Sequence, residues 1–362
     1  MSVPQVVPGG RHRVLQVVKG LGLGGTEKVM QLLAEHLPPA LFEVAVHSPE
    51  DGPRAVQLRK NGIPTYVGME LDLALRSFRP HVVHLHRAGW PEPGLMRPLR
   101  AAAPCAIVET NVFGRYDSSS SGQLIDTHLF VSHFCAERFT RITGIPAEPP
   151  RYEVMYNPVD TDFFEALCPG SAEVSGPVLG RISRADPGKW SPLALDILPI
   201  LARSVPGFRC KIIGGVPAAE AFVRDYGLGA QVDFLPPVST DEELAEFYGG
   251  LSVLAHANQA GESFGLVIAE AMACGLPVVT HPAEGFRDNA QLELVENGVT
   301  GFVATTAEEF AEAVRWLFEH PEEARRMGQA GREKSKRLFR VQDIAARVGQ
   351  LYHRLLASKG IM

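Results

Sequence analysis

Short apolar runs alternate with helical stretches along nearly the whole chain, a rhythm that predicts parallel α/β layers. The first run, Val14–Val18, leads into a glycine-rich turn. A helix follows over about Thr26–His36, with Val29, Leu32 and Leu33 at helical spacing. Further strands are expected at Glu43–His47, Val82–Leu85, Ala106–Glu109, Leu129–Val131 and Val154–Tyr156. The segment Cys168–Pro177 is small, polar and rich in proline and glycine, and it breaks the rhythm as a domain boundary would. Then the pattern restarts. Strands are expected at Val178–Ile182, Cys210–Ile213, Val232–Leu235, Ser252–Ala255 and Pro277–Thr280. Helices are expected at about Pro192–Ser204, Glu242–Tyr248 and Val267–Cys274, and a last helical pattern, Val341–Leu356, has no strand after it.

Composition narrows the class. A chain of 362 residues is long for one core and suits two domains, and 45% hydrophobic with 21% charged residues is a globular balance. A net charge of −6 argues against a nucleic-acid partner, which would select a basic surplus. No apolar run reaches the roughly 20 residues of a membrane span. Met1–His12 has no apolar stretch of the signal-peptide type, so a cytoplasmic protein is expected. Cys105, Cys135, Cys168, Cys210 and Cys274 are dispersed without a Cys-x-x-Cys pair, which reads as buried free thiols rather than a disulfide or zinc framework.

Three stretches could carry chemistry. "KGLGLGGTEK" places Gly20, Gly22 and Gly25 at dinucleotide-binding spacing, with Glu50 where a ribose-binding acid would stand. A structural turn, a phosphate-facing loop and an NAD site all satisfy that pattern, because glycine admits positive φ and close backbone approach. The second stretch, "GESFGLVIAEAMACGLPVVT", sets Glu262 and Glu270 eight positions apart, with Ser263–Leu266 fitting a helix start. Such a helix aims free N–H groups and its positive dipole end at one point, where a diphosphate would fit. Ile268, Ala269, Ala271, Met272 and Ala273 make the helix apolar nearly all round, so the Glu270 carboxylate needs a partner. In the third stretch, "VLGRISRADPGKWSP", Arg181 and Lys189 bracket the loop after the second half's first strand and could balance a diphosphate without a metal.

Taken in order, these segments resemble the large retaining glycosyltransferase family four, of the GT-B fold (the glycosyl transferases group 1 type). The matching pieces are "GLGGTEKV", "HVVHLH", "VSHF", "MYNPVDTDFF", "GRISRADPGKW", "KIIGG", "VDFLPPVSTDEELAEFY" and "GESFGLVIAEAMACGLPVV". The resemblance implies an α/β fold of two Rossmann-like doubly wound domains facing across a cleft. Residues 1–170 would form the acceptor-side domain, joined by the C-terminal helix 341–358, and residues 171–340 the nucleotide-sugar domain. It further implies metal-independent transfer of a sugar, with a hexosyltransferase the expected type. The donor would be a nucleotide diphosphate-sugar, with no cofactor beyond it. The acceptor would be a glycan, a lipid-linked molecule or a small molecule, which leaves room for peripheral membrane contact. By resemblance Glu262 faces the donor sugar, Glu270 holds the ribose, and Arg181 with Lys189 grips the diphosphate. Ser263, Phe264, Gly265, Leu266 and Pro236 join the donor-binding set, with Gly24 and Gly25 approaching the phosphates from the first domain. The chain departs from the family twice. Lys189 is followed by Trp190 instead of glycine, and the region that usually supplies an acceptor-side histidine reads "VETNVFGR", which offers Glu109 and Asn111.

Two look-alikes compete for attention. Asp160-Thr161-Asp162 imitates a metal-binding Asp-x-Asp but fits the start of a helical turn better. His84 and His86 project from one face of a strand, as metal ligands can, yet no further ligand set accompanies them. His86 is the residue expected nearest the acceptor. Three rivals stand beside the transferase. An NAD-dependent oxidoreductase would use Gly20, Gly22, Gly25 and Glu50; the others are a non-catalytic nucleotide-sugar binding protein and a GT-B-fold nucleotide-sugar epimerase.

Overall fold

The computed structural model describes residues 10–102, 106–168 and 176–360. Among the described residues the chain forms two parallel sheets, each flanked by helices. In the first, β1 (His12–Val18), β2 (Phe42–Ser48) and β3 (Thr65–Val67) run outward on one side of the centre. On the other side lie β4 (Val82–Arg87), β5 (Ala106–Asn111), β6 (Thr127–Phe130) and β7 (Tyr152–Val154). The order is β3-β2-β1-β4-β5-β6-β7, so the direction of winding reverses between β1 and β4. Strands covered on both faces read as continuous apolar runs, and Val14, Leu15, Val17 and Val18 are all buried.

The connecting helices are α1 (Gly25–His36), α2 (Pro53–Lys60), α3 (Leu71–Phe78), α4 (Pro93–Ala102) and α5 (His133–Thr143). Of these, α1 alone was anticipated from the sequence pattern, although α3 also buries Leu71, Ala74, Leu75 and Phe78 at helical spacing. Helix α2 buries just Ala55 and Leu58, too little to create a readable apolar stripe. β7 is an edge strand paired only with β6, and it lies two residues ahead of the expected Val154–Tyr156.

The second sheet is built from β8 (Val178–Ile182), β9 (Arg209–Ile213), β10 (Val232–Leu235), β11 (Val253–His256), β12 (Val278–Thr280) and β13 (Gly301–Val303). Its order, β10-β9-β8-β11-β12-β13, reverses between β8 and β11. Its helices are α6 (Thr161–Leu167), α7 (Leu193–Ser204), α8 (Pro217–Asp225), α9 (Asp241–Gly249), α10 (Leu266–Ala273), α11 (Gln291–Leu294), α12 (Ala307–Glu319) and α13 (Pro321–Phe339). The last helix is α14 (Val341–Ser358). Helix α13 turns Ala324, Met327, Gly328, Gly331, Ser335 and Phe339 inward at helical spacing, so small residues make up much of its buried face. At Gly328 a Cβ would come within 2.0 Å of the Gly275 carbonyl oxygen, so only glycine lets this helix lie against the end of α10.

The chain divides into two compact units, Met1–Pro158 with Val341–Met362, and Val159–Arg340. Helix α14 therefore belongs to the first unit, where it packs on α1 and β5. The first unit ends at Pro158, ahead of the expected residue 170, because α6 packs on α9, α10 and α13 of the second. Of the boundary segment Cys168–Pro177, residues 169–175 lie outside the described residues. Asp160 caps α6 by accepting from the Phe163 N–H at 3.2 Å, and Asp162 pairs with Arg340 at 2.6 Å. Both acids of the Asp-x-Asp look-alike thus have structural partners. No helix among the described residues is long and apolar enough to cross a membrane.

Candidate functional site

In parallel α/β sheets, ligands bind outside the carboxyl ends of the strands where the winding reverses. In the second unit that point lies beyond β8 and β11. β8 delivers Arg181 and runs into the loop that ends at Lys189; β11 delivers His256, with Asn258 and Glu262 in the loop after it. Residues 73 positions apart therefore converge: the Lys189 ammonium donates to Glu262 Oε1 at 2.9 Å. Asn258 Nδ2 donates to the same oxygen, and His256 Nε2 stands 3.4 Å from it. Burial works against ionisation of Glu262, but the His256 hydrogen bond and the Lys189 charge outweigh it and hold the carboxyl at about 2. Glu262 is an anion at neutral pH.

The backbone of Glu262 is held as firmly as its side chain. Gln291, buried at the start of α11, accepts the Glu262 N–H at 3.1 Å, and Ala290 N–H donates to the Glu262 carbonyl at 2.9 Å. Gln291 Nε2 donates in turn to the His281 carbonyl at 3.1 Å. The position of Glu262 is thus set from the β12–α11 connection as well as from β11.

Arg181 is buried, and its guanidinium carbon lies 3.8 Å from the centre of the Trp190 ring. It donates to Ser183 Oγ at 2.9 Å, to Asn258 Oδ1 at 3.3 Å and to the Lys189 carbonyl, while its Nε has no hydrogen-bond partner. Desolvation lowers its pKa to about 10, so the cation persists at neutral pH. Trp190, which follows Lys189 in place of the expected glycine, is a packing residue. It stacks on Arg181, and its indole N–H donates to the Gly214 carbonyl at 3.2 Å. Arg181 shapes the loop that carries Lys189.

Helix α10 begins at Leu266, one turn later than Ser263 would suggest, because Gly265 at φ 105° occupies the cap position. No side chain caps it, so the first amides of α10 can serve other partners. Phe264 is a core residue, edge-on to Phe339 with ring centroids 5.1 Å apart. Glu270 is buried near the far end of α10, and the Tyr248 hydroxyl lies 3.2 Å from both its Oε2 and the Val267 carbonyl. Burial and the Glu270 charge push the Tyr248 phenol well above its ordinary value, so Tyr248 is a hydroxyl donor and never competes as an anion. Pro236 is exposed in the loop after β10.

Residues 172–334 match the family described as "Glycosyl transferases group 1". That stretch is a glycosyl transferases group 1 domain. The chain is 36% identical over 154 residues to a D-inositol 3-phosphate glycosyltransferase of Mycobacteroides abscessus, covering 38% of this chain and 33% of that one. It is 30% identical over 246 residues to a GDP-mannose-dependent alpha-(1-6)-phosphatidylinositol monomannoside mannosyltransferase of Mycobacterium tuberculosis, covering 63% of this chain and 61% of the other. It thus spans from 33% to 61% of the length of these curated relatives. The fold matches a glycosyltransferase of Rickettsia africae with a TM-score of 0.80 at 17% identity, covering 96% of this chain and 99% of that one. It also matches Anabaena HepE, solved with UDP and glucose, with a TM-score of 0.76 at 19% identity, covering 94% and 99%. The architecture is GT-B.

The glycosyl transferases group 1 domain brings together Lys189, Glu262 and Arg181, and it adds residues that the sequence pattern did not single out for this role. His256, Asn258 and Gln291 all serve Glu262. His256 and Asn258 were signalled only by position just past the expected strand Ser252–Ala255, and Gln291, at the start of α11, carried no such signal.

In the first unit, Gly25 is the first residue of α1 and Gly24 is its cap, with no side-chain cap. The Glu27 carboxylate folds back to within 2.2 Å of where a Gly24 Cβ would stand. Glu50 stands beside the same turn, its Oε2 3.4 Å from a Cβ placed on Gly20. His86 is buried in β4, stacked on His84 with ring centroids 4.4 Å apart. It shares a 2.8 Å hydrogen bond with Gln16 Oε1, and burial lowers its pKa to about 3, so it is neutral at physiological pH. His84 is held between the Tyr352 hydroxyl at 2.6 Å and Thr110 Oγ1 at 2.8 Å. His84 thus ties β4 to α14 through Tyr352, and Gln16, the partner of His86, donates to the same hydroxyl at 3.4 Å. Glu109 is fully buried between Arg87 and His128, and Asn111 Nδ2 lies 3.3 Å from its Oε2. Asp117 pairs with Arg87 at 3.2 Å. Both acceptor-side candidates are buried: Glu109 pairs with Arg87, and Asn111 donates to the Arg115 carbonyl at 2.8 Å and accepts from the Arg115 N–H at 3.1 Å.

Proposed function

We propose that the protein is a retaining, metal-independent glycosyltransferase. It moves a hexosyl group from a nucleotide diphosphate-sugar to an acceptor hydroxyl in the cytoplasm, with no cofactor beyond the donor. The observation that supports this most directly is the pairing of Lys189 with Glu262 at the switch point of the second sheet, beside the uncapped start of α10. The difficult step is departure of the nucleoside diphosphate from the anomeric carbon. Lys189, the first amides of α10 and the persistent charge of Arg181 supply fixed positive potential where that negative charge grows. Such preorganisation usually lowers an enzymatic barrier more than any other single effect. Glu262 then addresses the sugar, and Glu270 the ribose hydroxyls. Ser263, Gly265 and Leu266 contribute backbone around the phosphates, and Pro236 lies on the loop that would flank the base.

One relative is GDP-mannose-dependent by name, and the Anabaena neighbour was solved with UDP and glucose. Both nucleotides therefore belong in the binding test. The names of the two relatives point to inositol-bearing acceptors, which makes inositol phosphates and lipid-linked glycans the first acceptors to try.

Two results are expected. Transfer should persist in excess EDTA; loss of transfer that manganese or magnesium restores would remove Lys189 and Arg181 as the groups that balance the diphosphate. Glu270→Gln should weaken binding of the preferred nucleoside diphosphate by about 10- to 150-fold, since a hydrogen bond to a charged group is worth roughly 1.5–3 kcal/mol. Calorimetric titration with UDP and GDP measures it, and an unchanged Kd would leave Glu270 as a structural partner of Tyr248 only.

A further inference from the structure

Cys168 closes α6 and Cys274 closes α10, and although 106 positions separate them, their sulfur atoms lie 2.6 Å apart. Both are buried at 1% exposure. A disulfide bond is about 2.05 Å long, so the two thiols are within roughly 0.6 Å of bonding distance with their backbones already in place. Arg332 of α13 braces both ends. Its Nη2 donates to the Cys168 carbonyl at 3.0 Å and to the Cys274 carbonyl at 2.9 Å, and its Nε donates to the Ala273 carbonyl at 3.2 Å.

We propose that Cys168 and Cys274 form a reversible disulfide when the protein meets a peroxide. Both residues belong to the second unit, so the bond needs no rearrangement of one unit against the other. The two thiols are chemically unequal. The contact with Cys274 and the charge of Arg332 lower the Cys168 thiol against the opposing effect of burial, whereas burial and the contact with Cys168 raise Cys274. Cys168 is the attacking group. Its thiolate takes one peroxide oxygen, the O–O bond breaks, and the other oxygen leaves as water after gaining a proton, which gives a sulfenic acid. The Cys274 sulfur then attacks that sulfur and displaces the hydroxyl as a second water. The net change is two thiols and one peroxide to one disulfide and two waters. A dithiol reductant reverses it by exchange.

The burial of both sulfurs makes local opening the slow step. Once formed, the bond would tie the carboxyl end of α10, four residues beyond Glu270, to the end of α6.

The test uses the full chain, treated with hydrogen peroxide and then denatured in the presence of a maleimide. The expected count of reactive thiols falls from the five of the sequence by two. Peptide mapping should find Cys168 joined to Cys274, with the pair lighter by two hydrogens and restored by dithiothreitol. Thermal unfolding should rise by roughly 5–15 °C on oxidation, since the bond closes a loop of about 100 residues. Cys168→Ser and Cys274→Ser should each abolish the cross-linked peptide. Five reactive thiols after peroxide, or Cys168 oxidised to sulfinic acid with Cys274 untouched, would overturn the proposal. The wild-type readout does not depend on whether either variant folds.

Discussion

Glu262→Ala should lower kcat/KM for glycosyl transfer by roughly 10²–10³-fold, the scale of losing one preorganised transition-state contact, while affinity for free UDP or GDP holds or tightens. The first half follows from position. Glu262 precedes α10 and is fixed by Asn258 and Lys189 through its side chain and by Gln291 through its backbone, so it is ordered before any donor arrives. A contact to the reacting sugar acts on the transition state more than on the nucleotide. The second half follows from the 2.9 Å bond between Lys189 and Glu262. Under the proposed function the carboxylate occupies the cation that would meet the diphosphate, so a nucleotide would compete for it. Removing the carboxylate leaves Lys189 to the diphosphate alone. Steady-state kinetics and a nucleotide titration on the same variant decide the matter. A parallel fall in kcat/KM and affinity would place Glu262 on the nucleotide, and no change in either would remove it from the donor site altogether.

Glu109→Ala is expected to destabilise the first unit by about 3–5 kcal/mol, the cost of breaking a buried ion pair by removing one partner. Arg87 would keep Asp117 and the Trp90 carbonyl, but its buried Nε and His128 would both lose the carboxylate beside them. Urea unfolding followed by circular dichroism measures the loss. The double substitution Arg87→Met with Glu109→Leu should recover part of it, because replacing both charges leaves no unpaired ion. If Glu109→Ala unfolds at the wild-type midpoint and instead impairs catalysis, the carboxylate serves the substrate and not the fold.

Glu270 was legible in sequence because its helix is apolar all round, and Glu262 because it stands eight positions earlier, just ahead of that helix. A carboxylate in a segment otherwise fit only for a core requires an explanation, and burial of Glu270 against Tyr248 supplies one. The strands were legible for the related reason that sheets covered on both faces require unbroken apolar runs. Trp190 after Lys189 was visible as a change in packing. That it stacks on Arg181 was not visible, since stacking depends on where the chain turns after β8. Helix α13 went unread although its buried positions fall at helical spacing, because Gly328, Gly331 and Ser335 share that face with Ala324, Met327 and Phe339 and dilute its apolar character.

What the sequence by itself determined were the features set by local spacing: two restarted α/β rhythms, a glycine turn opening α1, paired glutamates and a loop bracketed by cations. What only the tertiary structure decided were the partnerships across long separations. His256, Asn258 and Gln291 converge on Glu262 from the ends of β11 and the connection after β12, which are adjacent only because those strands pair. Glu109 pairs with Arg87 because Arg87, on the neighbouring strand two residues beyond Glu109's register partner Leu85, is itself buried and must be neutralised. Cys168 meets Cys274 because α6 folds against α10 after the chain has already left the first unit. Periodicity reports which face of an element is apolar. It carries no record of which polar group will stand opposite, because that is set by the summed geometry of every strand pairing between them.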